Sequence, residues 1–425
     1  MKYLENNICE FELLFKYTEK KKNILSLSFF KIYGGGYKNF NEYIDGFLEL
    51  YECVIKDTIN NFTIRLFIDN SIRNDVKLFE KISKLERVEI VVYSCKKCLH
   101  PSDNNYHLGT FGMFVRFFPL FDFPNNDANI VMINDMDDSG GAGFNKNIHH
   151  LNKIEKTKYE EIYIFYYANI SKNIMNNFDY LYNKRMTGYF MSSNIISFKK
   201  IPNSLLTNFI NNIDNYYNKA ISVYEYKITS KKGKEKFLKN KTSFIYGIDE
   251  YFMNTNFINH IIDNKYPYGV NLTFNIYNII YFYIKYYSYK KDKIKLVNLL
   301  LEYILINLKM KYNKESDIND KFKIIDNIIY SDNIKNENKK EMIYYHYYKA
   351  FLYNYNNSNY HFLFPKDLYN MIKSYDLFGI YEFEIIIYYN KDSTYDIKFI
   401  NKKMFDKEKL EQLKNFAKKH TNFYN

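Results

Sequence analysis

The chain has 425 residues, including 46 Tyr and 37 Phe but no Trp, and 60 Lys plus Arg against 48 Asp plus Glu give it a formal charge of +12. So many apolar and aromatic residues exclude a disordered chain, and 14 Gly and 6 Pro exclude collagen-like or linker-dominated architectures. Four cysteines are too few for a disulfide framework at this size, which makes a reducing compartment the default expectation. The Lys excess accompanies an abundance of Asn, Ile and Tyr, a bias that AT-rich codons produce. Composition therefore accounts for the charge better than a polyanion-binding face does.

Acidic residues precede any apolar run at the N-terminus, so no secretory signal is expected. No apolar run is long enough to span a membrane, and the most apolar stretch, from Val270, is interrupted by Lys285. The expectation is a soluble cytoplasmic protein, in a host cytoplasm if its source is viral.

In chain order, the first half alternates apolar runs with helical patterns. Ile24–Phe30 reads as a strand ended by Gly34, Gly35 and Gly36, and a helix follows over Asn41–Lys56. Thr63–Ile68 is a second strand, Asp75–Leu85 a helix, Val88–Ser94 a third strand, Thr110–Phe118 a helix and Ala128–Asn134 a fourth strand. This order predicts an α/β fold with a mostly parallel sheet flanked by helices. Glu161–Ala168 continues the strands, followed by a strand pair around Gly188–Met191 and Asn194–Phe198. Helices are expected over Ser204–Tyr224, and Lys227–Lys241 reads as a basic loop. Beyond about residue 270 the pattern turns helical, with a buried helix over Leu296–Leu308. A small β-hairpin, Glu382–Tyr389 and Tyr395–Ile400, and a last helix over Lys407–Lys419 complete it. The division is residues 1–265 as one domain and 266–425 as a mainly helical C-terminal extension.

Three segments carry candidate chemistry. In the first, the apolar run ending at Ile133 leads into Asn134-Asp135-Met136-Asp137-Asp138 and a Gly-rich loop. Carboxylates two apart at the carboxyl end of a strand can hold a hard divalent cation, which in turn can hold a diphosphate. In the second, Thr110–Leu120 is apolar almost all round, so Arg116 is expected to be buried and to need an anionic partner. That partner is Asp69, Asp122, the Asp135–Asp137 cluster or a ligand phosphate. In the third, Asp249 and Glu250 follow Gly247-Ile248 at a predicted helix start, where they suit the helix dipole or act as a general base toward an incoming hydroxyl.

The ordered set RLFIDNSI, FVRFFPLFD, VMINDMDDS, GYFMSSNIISFKK and YGIDEYFMN resembles GT-A-fold glycosyltransferases that use nucleotide-sugars, closest to those of large DNA viruses and some protists. The resemblance covers roughly residues 20 to 260 and implies a Rossmann-like GT-A sheet. It implies that Asp137 binds Mn2+ or Mg2+, and that Asp135 faces the ribose and is counted with the metal ligands. Phe29, Phe30 and Tyr33 would line the base pocket, with Asp69 near the base and Arg116 near the donor. Asp249 and Glu250 would lie on the acceptor side as the catalytic pair. The implied activity is transfer of a hexose from a nucleoside diphosphate-sugar, UDP-sugar favoured, to a glycan, protein or small-molecule hydroxyl. A homo-oligomer is left open. The third ligand that the family takes, often a late His, is not assigned by any motif, with His260 one candidate, and the Gly-Gly-Ala-Gly after Ser139 departs from the family pattern.

Two alternatives remain: a nucleotidyl- or phosphoryl-transferring enzyme that uses the same paired Asp with Mg2+, and an inactive binding or scaffold protein that uses the basic surface. Cys95-Lys96-Lys97-Cys98 lacks a second cysteine pair for zinc and follows a strand into a Lys-rich turn, so neither a zinc nor a redox role is expected of it. His149-His150 is expected to be solvent-exposed.

Overall fold

The structure, a computed structural model, describes residues 2–4, 8–17, 21–35, 39–162, 164–168, 191–213, 257–275, 380–392 and 394–404, with single positions at 215, 249 and 253. Glu250, the basic segment 227–241 and the predicted helices at 296–308 and 407–419 lie outside the described residues.

The first strands are β1 (Lys2–Leu4), β2 (Cys9–Phe15), β3 (Lys22–Phe29), β4 (Phe62–Ile68), β5 (Val88–Cys95), β6 (Leu99–His100) and β7 (Asp103–His107). They are followed by β8 (Ala128–Ile133), β9 (Ile164–Ala168), β10 (Met191–Ser197), β11 (Tyr268–Asn275), β12 (Ile380–Tyr389) and β13 (Tyr395–Met404). Eleven form one sheet in the order β1-β2-β5-β4-β3-β8-β10-β9-β11-β12-β13, while β6 and β7 pair separately.

The α/β class holds, but the sheet is mixed. Parallel pairing is confined to β3 with β4, β3 with β8, β4 with β5, and β9 with β11. The other neighbours are antiparallel. The apolar runs report strands buried on both faces, a property that direction does not change. Of the predicted strand pair near residues 188–198, Gly188, Tyr189 and Phe190 lie outside the described residues, and Met191–Ser197 form one strand, β10, with a register break between Met191 and Ile195. The helical pattern expected beyond residue 270 is broken at its start, where β11 runs to Asn275 and carries the predicted hairpin, β12 and β13, on the same sheet.

Helices pack on both faces of the sheet. α1 (Phe40–Lys56) begins in a capping box, with Asn39 and Glu42 each accepting a backbone N–H of the first turn. α2 (Asn70–Arg73) and α3 (Val76–Ser83) are capped by Asp69 and Asp75. α4 (Gly109–Phe114), α5 (Ala142–Leu151) and α6 (Lys156–Tyr159) follow. Phe47, Leu50 and Val54 of α1, Leu78 and Ile82 of α3, and Phe144 and Leu151 of α5 pack on Leu25, Leu27, Leu66, Ile90 and Met132. Alternate strand residues point to the opposite face. There Phe67 and Phe11 meet Phe118, and Tyr93 meets Phe111. The predicted helix over Thr110–Phe118 is α4 continued by a 3-10 segment, Val115–Phe121, which runs through Pro119 and closes at Asp122 in left-handed backbone (φ 59°).

That second face also buries four charges toward the start of the parallel strands. Arg65 donates to Glu89 at 2.8 Å and to Asp127 at 2.8 Å, and Lys22 pairs with both carboxylates. Arg65 and Glu89 are neighbours in register and fully buried. Removing one partner of such a network leaves uncompensated charge in a dry site. Glu89→Ala is expected to destabilise the protein by about 3–5 kcal/mol, measured by urea unfolding with Glu12→Ala, at an exposed pair, as the comparison.

Candidate functional site

β3, β4 and β8 run parallel, so their carboxyl ends share one edge. The chain passes from β3 to β4 on one side and reaches β8 on the other, so the strand order reverses between β3 and β8. Crevices of this kind, outside the carboxyl ends of strands, are where open α/β sheets bind ligands.

The acidic turn after β8 fills this edge. Asp135 is exposed, Met136 sinks into the core and Asp137 is half-buried. Gly46 of α1 permits the approach, because a Cβ there would lie 2.9 Å from the Asp137 Cα. Asp138 has a separate task. Its carboxylate accepts the N–H groups of Gly143 and Phe144 at 2.8 and 2.9 Å and the Asn134 amide at 2.9 Å, tying the turn to the start of α5.

The glycines after Ser139 also have reasons. Gly140 and Gly141 adopt positive φ of 65° and 62°. The Gly140 N–H donates to Glu49 at 2.6 Å, and a Cβ on Gly141 would fall 2.6 Å from the Cys53 Sγ. The loop thus docks the acidic turn against α1. Glu49, Cys53 and Gly46 went unnoticed in the sequence, where they read only as positions on an amphipathic helix.

Arg116 is buried, as its apolar surroundings require, and it joins two of the predicted residues. Nη1 donates to the Asp135 carboxylate and, at 3.3 Å, to the Asn134 carbonyl; Nη2 donates to Asp249 Oδ2 at 2.8 Å. Asp249 is 2% exposed. Burial opposes the charge on Arg116, but Asp135 and Asp249 outweigh it and hold the guanidinium protonated above its ordinary range. The Arg116 carbonyl accepts from Ser26 Oγ of β3 at 2.6 Å, which fixes the segment on the sheet.

Asp69 is not a partner of Arg116. It is fully buried and caps α2 through Ser71 N at 3.1 Å. Its Oδ2 accepts from His107 N at 3.3 Å and lies 3.2 Å from His107 Nδ1. Cys95 N–H donates to His107 Nε2 at 3.0 Å, which places the ring proton on Nδ1, facing Asp69. Asp122, another candidate partner, sits 3.7 Å from Lys200.

The predicted base-pocket residues divide. Phe29 is core, stacked on Phe40 at 5.4 Å. Phe30 lies over Gly112, where a Cβ would come within 2.7 Å of its ring. Tyr33 remains 39% exposed, stacked on His100 at 4.2 Å and edge-on to Tyr106.

Of the two neighbouring histidines, His150 is buried, contrary to the solvent-exposed expectation. It bonds Glu384 of β12, which also accepts from Asn271 of β11 at 3.1 Å. The His260 ring is tilted against Tyr266 at 5.8 Å and lies 3.2 Å from the Asn264 amide. Among the described residues no three His, Cys, Asp or Glu side chains converge as a metal site. Asp135 and Asp137 supply hard oxygen donors at the crevice, and Mg2+ is commonly held by one or two carboxylates with phosphate and water completing the shell. The donor set fits such an ion. Among the described residues no helix is long and apolar enough to cross a membrane. Neither a protein-family model nor a curated protein matches this sequence.

The bridge makes Arg116 and Asp249 energetically interdependent. Arg116→Ala is expected to cost about 3–5 kcal/mol by stranding the buried Asp249. Arg116→Lys should recover only part, since a point-charge ammonium cannot serve two carboxylates as a planar fork does. In urea unfolding, the double variant Arg116→Met/Asp249→Leu should be more stable than Arg116→Ala.

Proposed function

We propose that the protein is a metal-dependent glycosyltransferase that moves a sugar from a nucleoside diphosphate-sugar, UDP-sugar favoured, to a hydroxyl acceptor. The observation that carries this reading is the Arg116 bridge between the acidic turn after β8 and Asp249, set at the crevice where strand order reverses. The ordered motifs that resemble GT-A glycosyltransferases converge there: FVRFFPLFD supplies Arg116, VMINDMDDS supplies Asp135 and Asp137, and YGIDEYFMN supplies Asp249.

The chemistry follows from charge. Breaking the bond between the sugar and the diphosphate gathers negative charge on the departing oxygen. Arg116, permanently protonated and held by fixed carboxylates in a largely dry site, is oriented in advance to meet that charge. Asp249 is a positioning residue in this scheme, since its Oδ2 is engaged by the guanidinium. Glu250 is then the candidate to take the acceptor's hydroxyl proton. What a divalent cation supplies when bound by Asp137 and Asp135 is neutralisation of the diphosphate. The half-open face of Tyr33 offers a stacking plane for the base.

The test is thermal unfolding of the protein with UDP, UDP-hexoses and nucleoside triphosphates, each with Mn2+ or with chelator. A ligand at a hundred times its Kd stabilises by about 2.7 kcal/mol, so UDP with Mn2+ should raise Tm measurably, and chelator or Asp137→Ala should abolish the rise. Stabilisation by triphosphates with none by diphosphates, or an Asp137→Ala response equal to wild type, would refute the reading.

A further inference from the structure

Three of the four cysteines converge at the end of β5, away from the Asp135–Asp137 turn. Cys9 of β2 and Cys95 of β5 face each other in register and are joined by a disulfide. Sequence spacing gives no sign of this bond, because the cross-strand pairing unites residues 86 apart. Cys98 keeps its thiol and is buried, as are both bonded cysteines.

Cys95 caps a 3-10 turn, Lys96–Cys98, and Cys98 ends it. Cys95 itself is in extended backbone just before the turn, and a single 3-10 turn, at a rise of about 2.0 Å per residue, brings its flanking Cα atoms to about 6 Å. That spacing lies within the range a disulfide spans. Cys95 therefore has its bonded partner, Cys9, across the sheet and a thiol, Cys98, one turn along its own chain.

We infer that this cluster is a thiol–disulfide exchange centre in which Cys95 changes partner. Cys98, as thiolate, attacks the Cys95 Sγ. The Cys95–Cys98 bond forms, the Cys9–Cys95 bond breaks, and Cys9 leaves as a thiolate that takes up the proton Cys98 released. No oxidant or reductant is consumed, and no solvent access to the buried sulfurs is needed. The exchange replaces a crosslink spanning 86 residues by one spanning three, so β2 then stays on β5 through backbone hydrogen bonds, the packing of Phe11 and the Glu12–Arg73 pair, with no covalent tie. The same Cys95 donates its N–H to His107, which holds Asp69 at the end of β4, so the exchange takes place one residue contact from the sheet edge.

The experiment maps disulfides in the full chain after acid quenching, unfolding and alkylation. In wild type poised across glutathione redox buffers, both Cys9–Cys95 and Cys95–Cys98 peptides should appear, the second with Cys9 alkylated. In Cys98→Ser only Cys9–Cys95 should form. In Cys9→Ser, exposure to glutathione disulfide should link Cys95 to Cys98 with no loss of folded circular dichroism. If Cys98 is alkylated in every wild-type sample while Cys9 and Cys95 always appear together, the inference fails. Should Cys9→Ser not fold, the wild-type titration decides alone.

Discussion

A single guanidinium organises the candidate site. Arg116 sits in a segment whose other side chains are almost all apolar and buried, so its charge must be met from elsewhere. Two carboxylates meet it, one from the turn after β8 and one 133 residues away at Asp249. That demand pulls three distant pieces of chain to the same crevice. It also sets the chemistry of the place: a fixed positive charge, an exposed carboxylate at Asp135 and a half-buried one at Asp137, all beside a sheet edge.

The supporting structure serves to hold the acidic turn steady. Met136 pins it into the core, and Asp138 binds it to the first turn of α5. Gly46 and Gly141 let it approach α1 more closely than any larger residue would allow. Ser26 ties the Arg116 backbone to β3. A second buried network, Lys22 and Arg65 with Glu89 and Asp127, secures the opposite end of the same strands, so the parallel core is held by ionic contacts at both ends and by apolar packing between them.

Much of this could be read in the residues. The strands at the centre of the sheet are apolar runs bounded by Gly, Asn and Asp, and the burial of Arg116 follows from its neighbours. What could not be read depends on pairing across long separations. Strand direction leaves no mark on a run buried on both faces, so the antiparallel pairings of β10 with β8 and of β2 with β5 were not apparent, whereas the hairpin of β12 and β13 was. The choice of Asp249 over Asp69 or Asp122 as partner is made by tertiary placement alone. Asp69 looked like a site residue because it closes a strand, yet its oxygens serve a helix cap and His107. Arg65 was passed over inside an apolar strand, and Cys9 with Cys95 because sequence spacing does not report register.

The account rests on the crevice between β3 and β8 receiving a cation and a diphosphate together. Crystals grown with MnCl2 and UDP, measured at the manganese absorption edge, address this directly. The prediction is an anomalous peak at the Asp137 carboxylate with the UDP phosphates between it and Arg116. A manganese peak elsewhere, or UDP bound away from Arg116, would contradict it.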